Sequence, residues 1–401
     1  MMKILNVAPF HLFPLQAGNQ VNTYNLCRYL ELCGHEVGYV FIDYGMQYEK
    51  PGDRAATWLD YTSVHGALGA NFFGVAKKVI NRLAKWCGRS EIDPVFLLTS
   101  KDVELIDKII KDRGYDALIV HYAILGNLPH QIASSNLRTV IFTHDLQFIR
   151  EARLKSAITG RDANVRALKT EEIELTRYQG FDQVLVVSSF EYDTLLNKGF
   201  SPSRLVLAGV SHDVKDTRGR KKEWDMLFVG SAGNWPNVQG FLWFATEILP
   251  LIRQVIPNVS CAIAGTVSET LKKENCNMNG IVSLGFVDDI SDVYSRSRIV
   301  IAPLLTGSGV KVKVVEALAH AKPTITTQIG AEGLNLEVGC HYVGAETTEN
   351  WVDAIVELLS CDAKLTSMEN EAYEWALNNA SPRAVWGGVE QRIARKGVSK
   401  Q

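Results

Sequence analysis

The chain has 401 residues, enough for two or three domains at the usual size of about 100–200 residues each. Hydrophobic residues make up 46% of the chain and charged residues 21%, which excludes a mainly disordered, collagen-like or coiled-coil protein. The 42 basic and 44 acidic residues nearly cancel, so net charge provides no global attraction to nucleic acid.

Three sequence features bear on where the protein resides. No apolar run approaches the roughly 18–20 residues that a membrane-spanning helix needs. Pro9 interrupts the apolar N-terminal stretch, which predicts a first strand rather than a signal peptide. The seven cysteines are scattered and contain no Cys-x-x-Cys pair, which argues against a disulfide framework or a zinc site. We therefore expect a cytoplasmic protein that is soluble or attached to a membrane surface.

Short apolar runs alternate with stretches of helical periodicity along the chain. Several runs are continuously apolar, which is typical of strands buried on both faces of a parallel sheet. Helical stripes occupy 22–33, with Gly34 as a stop signal, and 240–255. This alternation in both halves predicts an α/β protein with two doubly wound domains, and the polar segment 211–225 is the predicted boundary between them. The predicted strands are Lys3–Ala8, Val37–Ile42, Ala117–Val120, Thr139–Phe142, Gln183–Val187, Asp225–Val229, Ser260–Ala264, Ile281–Leu284, Arg298–Ala302 and Thr324–Thr327.

A glycine-rich loop precedes a predicted helix over about 310–320. Such a loop at a helix start presents free backbone N–H groups and the positive end of the helix dipole, which suits phosphate. Helical geometry places Gly309, Lys313 and Glu316 within about 60° of one face and Lys311 well off it. Lysine pairs with phosphate and a carboxylate accepts hydrogen bonds from ribose hydroxyls, so the pattern indicates a nucleoside diphosphate site. Taken alone, these residues are better explained as solvated helix charges beside a plain loop, because a strand, a glycine loop and a helix often follow one another.

The residues around this loop resemble the retaining GT-B glycosyltransferases, in particular the GT4-like group (glycosyl transferases group 1). That family carries a Glu–seven residues–Glu element followed by Ala-Met-Ala and a Pro-Val-Val strand. Here Glu316 in EALAHAKPTITT matches the second Glu, whereas Ser308 occupies the place of the first. The sequence resembles a subgroup of this family in which the loop has the pattern G-x-G-x-[RK]-x-K-x-x-E-A. The resemblance lies in Lys311, Lys313 and the later GAEGL at 330–334.

Further matches extend over nearly the whole chain. Gly18-Asn19, ahead of a helix that ends in GHEV at 34–37, resembles the family's first glycine loop. The segment 228–252 resembles the opening strand and helix of the C-terminal domain, with Ser231 and Asn237 near the places of the family's Arg and Lys. THDL at 143–146 resembles a His-Asp loop, and the final helices resemble a crossing-back helix.

His144 follows an apolar strand, at the end of a parallel strand where ligands of α/β proteins bind. Two interpretations remain open: a structural hydrogen-bonding histidine, or one that contacts the transferred sugar or the developing charge. His11, His35 and His121 also lie near strand ends and, without motif support, are interpreted as structural.

The resemblance implies a GT-B fold, that is, two Rossmann-like doubly wound domains facing a central cleft. The expected domains are 1–212 on the acceptor side, with a crossing helix at 383–401, and 213–382, which binds the nucleotide sugar. The implied activity is transfer of a sugar from a nucleotide-diphosphate sugar, with UDP or GDP favoured, to a glycan, lipid-linked or protein acceptor with retention of configuration. The implied catalytic residues are His144 and Glu316. The implied donor-binding residues are Gly18, Asn19, Gly230, Asn237, Gly307, Ser308, Gly309, Val310, Lys311, Lys313 and Glu316.

No metal or other cofactor is expected, because helix-terminal amides and lysines can stabilise the diphosphate charge. No Asp-x-Asp stands in a metal-loop context, in agreement with that expectation. Two other functions stay open: a GT-B-shaped nucleotide-sugar epimerase, and a nucleotide-sugar-binding protein without catalysis.

Segment 71–89 contains five basic residues, no acidic residue and apolar residues at helical spacing. Two interpretations are equally supported. The helix either packs its apolar stripe into the N-terminal domain or makes a peripheral contact with an anionic membrane surface.

Overall fold

The structure, a computed structural model, describes residues 1–43 except 14 and 16, 61–65, 98, 100–156 except 135, 161–273, and 278–394 except 308. Ser308 and segment 71–89 lie outside these residues, so the interpretations placed on them stay predictions. The chain divides into an N-terminal unit, Met1–Ala208 with Trp386–Gln401, and a C-terminal unit, Gly209–Val385. Within the described ranges, no helix is both long and apolar enough to cross a membrane.

The N-terminal unit is built on a seven-stranded parallel sheet in the order β3-β2-β1-β4-β5-β6-β7. Both faces of the central strands are covered, so β1 is buried from its second residue onward and β4 along its whole length. This burial explains why those strands are continuously apolar in sequence. The strands are β1 Lys3–Ala8, β2 Glu36–Asp43, β3 Tyr61–His65, β4 Ala117–His121, β5 Arg138–Phe142, β6 Gln183–Val186 and β7 Leu205–Leu207.

Helices connect the strands of this sheet. The first helix ends just before Gly34, whose φ of +85° lies in the left-handed region that favours glycine. A short 3₁₀ turn, Ala123–Leu125, follows β4. The α-helices are α1 Gly18–Leu32, α2 Ser100–Arg113, α3 Leu128–Gln131, α4 Gln147–Ser156, α5 Arg161–Gln179 and α6 Ser189–Asn197.

The C-terminal unit repeats this architecture with a six-stranded parallel sheet in the order β10-β9-β8-β11-β12-β13. Its core contains large buried side chains from the sheet and helices, among them Phe228, Phe241, Phe244 and Trp351. The strands are β8 Trp224–Val229, β9 Cys261–Ala264, β10 Ile281–Gly285, β11 Ser297–Ala302, β12 Thr324–Thr326 and β13 Val343–Gly344.

The helices of this unit begin with a continuous helical segment that includes a π-helical stretch, Phe244–Ile248. The last helix starts at Pro382, a residue favoured in the first turn because it lacks an N–H that would stay unpaired there. The helices are α7 Trp235–Trp243, α8 Leu249–Val255, α9 Val267–Lys273, α10 Ile290–Ser295, α11 Val312–Ala319, α12 Gln328–Ala331, α13 Thr348–Ser360, α14 Asp362–Asn379 and α15 Pro382–Ala394. Of these, α15 only begins in this unit, and from Trp386 onward it belongs to the N-terminal unit.

Each sheet has one point where the strand order reverses, between β1 and β4 in the N-terminal unit and between β8 and β11 in the C-terminal unit. Open α/β sheets bind ligands beyond the carboxyl ends of the strands at this point. A ligand site is therefore expected in two places: after β8 and β11, and at the ends of β1, β4 and β5.

The α/β prediction with two Rossmann-like domains is confirmed, and all ten predicted strands are present with no bound shifted by more than one residue. The sequence missed β3, β7 and β13, which lie at or next to the ends of the sheets. Three helix starts were wrong. The helices predicted at 22–33 and 240–255 begin earlier, at Gly18 and Trp235, and the one predicted from about residue 310 begins at Val312.

Gly240 in α7 packs directly against the loop that follows β11. A Cβ at this position would lie 1.9 Å from the Pro303 carbonyl oxygen. Gly388 in α15 has no neighbouring heavy atom within 4 Å of such a Cβ. We therefore expect Gly240→Ala to destabilise its unit by about 1–3 kcal/mol. Gly388→Ala should stabilise by about 0.5–1 kcal/mol, because alanine favours the helix. Urea unfolding of both variants tests this, and equal shifts in the same direction would contradict it.

Candidate functional site

The loop between β11 and α11 is shaped by two glycines with positive φ, Gly307 at +145° and Gly309 at +66°. Lys311 lies at the N-cap position rather than inside the helix, and no side chain caps α11. Its ammonium donates a hydrogen bond to the Gly309 carbonyl. Val310 is half-buried and packs against an apolar cluster, which indicates a structural contribution from this side chain. An uncapped helix start after a glycine loop offers backbone N–H groups to an anion.

Lys313 lies in the first turn of α11 and connects it to the region after β8. Its Nζ donates a hydrogen bond of 2.5 Å to Asn237 Oδ1 and lies 4.6 Å from the centre of the Phe228 ring. Asn237 Nδ2 in turn donates to the Ser231 carbonyl at 3.1 Å. Burial lowers the pKa of Lys313 to about 7, with the Glu316 carboxylate as an opposing influence. A lysine with this pKa gains a full positive charge when an anion binds beside it.

Gly230 directly follows β8 next to these side chains. A Cβ on Gly230 would lie 2.7 Å from an edge carbon of Phe228 and 3.3 Å from the Asn237 Cβ. The absence of a side chain therefore allows Phe228 and Asn237 to take the positions in which both contact Lys313.

Glu316 lies nearly one turn after Lys313 on the same side of α11. Its Oε2 accepts a hydrogen bond from the Tyr294 hydroxyl at 3.1 Å. Tyr294 stacks on His320, with ring centroids 4.5 Å apart and an interplanar angle of 10°. Desolvation raises the pKa of Glu316. Tyr294 thus fixes one oxygen of the carboxylate, and nothing in the sequence motif pointed to this tyrosine.

His144 follows β5 and has a φ of +60°, and Tyr122 after β4 has a φ of +67°. Positive values are uncommon for residues other than glycine. Its half-buried ring stacks on Phe142, with centroids 4.0 Å apart, and on Tyr122, at 4.6 Å. Its Nε2 is 2.9 Å from His121 Nδ1. Desolvation lowers the pKa of His144 well below 6.5, so the ring is neutral at pH 7. Residues in sparsely populated backbone regions are concentrated at functional sites.

Gly18 and Asn19 are the first two residues of α1, rather than part of a loop ahead of the helix as the sequence suggested. The Asn19 side chain hydrogen-bonds the Tyr122 hydroxyl. Tyr122 therefore links the start of α1 to His144. No sequence motif pointed to Tyr122, although its place at the end of a central strand is a signal of a ligand site in this type of sheet.

The predicted site residues thus form one cluster in each unit. The C-terminal cluster contains Gly230, Asn237, Lys313 and Glu316 together with the glycine loop, and the N-terminal cluster contains Asn19 and His144. In the part of the chain that the structure describes, one group of side chains is arranged so that it could hold a metal ion. Its members, Cys340, His341 and Glu371, include none of the predicted site residues.

Two parallel doubly wound sheets, each with polar side chains at its switch point, have the layout of the GT-B fold. Residues 223–361 match the family described as glycosyl transferases group 1, which confirms the resemblance for most of the C-terminal unit.

Solved structures share this fold over nearly the whole chain. TarM from S. aureus has a TM-score of 0.69 at 9% identity, covering 98% of this chain and 99% of that one. HepE from Anabaena, in complex with UDP and glucose, has a TM-score of 0.64 at 13% identity, covering 98% of this chain and 100% of that one. At such identities the likeness concerns the fold alone.

A curated relative is an uncharacterized 44.6 kDa protein in the cps region of Klebsiella pneumoniae. It is 24% identical over 217 residues, which cover 52% of this chain and 55% of the relative. The match therefore spans about half the length of each protein.

Proposed function

We propose that this protein is a glycosyltransferase that moves a sugar from a nucleotide-diphosphate sugar to an acceptor. The observation that carries the proposal is the pairing of Lys313 with Asn237 and of Glu316 with Tyr294 at the uncapped start of α11. This arrangement offers amides and an ammonium for a diphosphate, with a carboxylate nearly one turn along for a ribose. The family match over residues 223–361 supports it.

In this proposal the N–H groups of the glycine loop, with Lys311 and Lys313, bind the diphosphate and stabilise the charge that develops on it as the sugar leaves. Glu316 accepts hydrogen bonds from the ribose hydroxyls. His144 forms a hydrogen bond with the transferred sugar, either as donor or as acceptor. Because this histidine is neutral at pH 7, hydrogen bonding is favoured over compensation of a charge.

We extend the proposal to UDP or GDP as the nucleotide, to a glycan, lipid-linked or protein acceptor, and to retention of configuration. The presence of UDP and glucose in the HepE complex supports UDP as the first nucleotide to test. Retention would proceed by displacement on the same face of the sugar, with the leaving phosphate accepting the proton of the acceptor hydroxyl.

A thermal-shift panel of UDP, GDP, dTDP and ADP identifies the nucleotide, because a ligand at about 100 times its Kd stabilises the folded state by about 2.7 kcal/mol. The protein is then incubated with sugars of the selected nucleotide, and the products are separated. Transfer of the sugar with the anomeric configuration of the donor supports the proposal. An epimerised nucleotide sugar would identify an epimerase, and a bound but unchanged one a protein without catalysis.

Activity should survive chelation by EDTA and should need no added Mn²⁺ or Mg²⁺. The reason is that Lys311, Lys313 and the α11 amides supply the positive charge that a metal would otherwise provide. Transfer rates measured before and after EDTA treatment test this expectation. Complete loss of activity, restored by one of these ions, would contradict it.

A further inference from the structure

Three polar side chains form a hydrogen-bonded chain across the carboxyl ends of neighbouring strands β1, β4 and β5. Asn6 in β1 and His121 at the end of β4 are fully buried, and His144 follows β5. Asn6 Oδ1 lies 3.1 Å from His121 Nε2, and His121 Nδ1 lies 2.9 Å from His144 Nε2. At its other end, Asn6 Nδ2 donates to the Gly38 carbonyl at 3.4 Å.

The Gly38 carbonyl fixes the donor and the acceptor of every hydrogen bond in this series. A carbonyl oxygen only accepts, so the amide nitrogen of Asn6 must face it and the amide oxygen must face His121. His121 Nε2 must then carry a proton, because an unprotonated nitrogen would oppose the Asn6 oxygen. In a neutral imidazole the other nitrogen is bare, so His121 Nδ1 accepts and His144 Nε2 donates.

Both rings are neutral at pH 7, as this argument requires. Desolvation lowers the pKa of His121 to about 3 and that of His144 well below 6.5. A ring protonated on both nitrogens is thereby excluded at either position, and each histidine has one donor and one acceptor.

We propose that Asn6 and His121 are positioning residues that hold His144 in the tautomer with a proton on Nε2 and a bare Nδ1. Among the described residues, no hydrogen-bond partner faces His144 Nδ1, and the ring is only half-buried. His144 therefore presents a hydrogen-bond acceptor to a ligand. The consequence for the substrate rests on the proposed function: His144 should bind a hydroxyl group of the sugar, which can donate, rather than a carbonyl or a phosphate oxygen, which can only accept.

The direction of the bond between the histidines is measured by NMR on the full-length protein labelled with ¹⁵N at histidine. His144→Gln assigns the resonances. We expect a proton bonded to His144 Nε2 with a scalar coupling across the hydrogen bond to His121 Nδ1. A proton on His121 Nδ1 instead, or no coupling between the rings, would overturn the proposal. This measurement needs no ligand, so its outcome is independent of the proposed function.

Asn6→Leu tests whether the amide sets the direction. We expect the proton between the two rings to move at least partly to His121 Nδ1. The rate of sugar transfer should fall about tenfold, the equivalent of one hydrogen bond, with unchanged UDP affinity. Gln183→Leu is the control, because it removes an amide at the amino end of β6, away from the carboxyl ends of the strands. It should leave the proton position and the transfer rate unchanged.

If Asn6→Leu keeps the wild-type proton position, Asn6 does not set the tautomer. If the Asn6→Leu variant does not fold, the proton position in the wild-type spectrum alone tests the proposed tautomer. If the wild-type protein releases no nucleotide from any sugar nucleotide, the proposed function is refuted. The wild-type spectrum still tests the tautomer in that case.

Discussion

Replacing Lys313 with methionine should weaken UDP binding about 10- to 100-fold at pH 7, the scale of one charged hydrogen bond. The wild-type affinity should also depend on pH. Because burial lowers the pKa of Lys313 to about 7 and a bound diphosphate raises it again, the lysine takes up a proton on binding. Affinity should therefore fall as pH rises from 7 to 9, and the difference between wild type and Lys313→Met should shrink. Titration calorimetry in buffers of different ionisation enthalpy measures both the affinity and the proton uptake.

Lys322 supplies a matched control for this experiment. It is a fully buried lysine of the C-terminal unit, its pKa is lowered to about 6, and its Nζ donates to the Ser297 carbonyl at 3.2 Å. Lys322→Met removes a buried ammonium that follows the C-terminal end of α11, at the opposite end of this helix from the glycine loop, and should leave the pH dependence of UDP binding unchanged. If Lys313→Met binds UDP as tightly as wild type at pH 7, the diphosphate site is wrongly assigned.

Replacing Glu316 with glutamine should weaken binding of UDP and of uridine by the same factor, about 10- to 100-fold, because the carboxylate contacts the ribose that both share. Lys313→Met should weaken binding of UDP alone, since uridine has no phosphate. Measuring both ligands with both variants separates the ribose contact from the phosphate contact. Should the thermal-shift panel select GDP, guanosine takes the place of uridine.

Tyr294→Phe is the matched variant for Glu316. It removes the hydroxyl that donates to Glu316 Oε2 at 3.1 Å and leaves the carboxylate in place. We expect a smaller loss, about 2- to 10-fold, because the variant loses only a hydrogen bond that positions the carboxylate and keeps the carboxylate itself. A Glu316→Gln variant that weakens UDP binding but not uridine binding would show that Glu316 acts on the phosphates instead.

The sequence determined the fold class because burial on both faces of a sheet leaves a continuous apolar run. β1, β4, β8 and β11 carry that signal and were predicted with nearly correct bounds. The edge strands β3, β7 and β13 do not carry this signal, because their pairing is decided by a neighbouring strand rather than by a long apolar run. The start of α11 was also misplaced, because Lys311 at the N-cap gives none of the usual capping signals.

The glycine loop, Lys313 and Glu316 could be proposed from sequence as a candidate site, since their spacing on one short helix is local information. The contacts that these side chains make could not. Lys313 meets Asn237 across a separation of 76 residues, and His121 meets Asn6 across 115. Such contacts depend on strand order and register, which place the ends of β1, β4 and β5, or of β8 and β11, side by side. The periodicity of apolar residues along the sequence carries no information about the order of the strands. The lowered pKa of Lys313 and the tautomer of His144 both follow from burial beside those distant partners, so only the tertiary structure decided them.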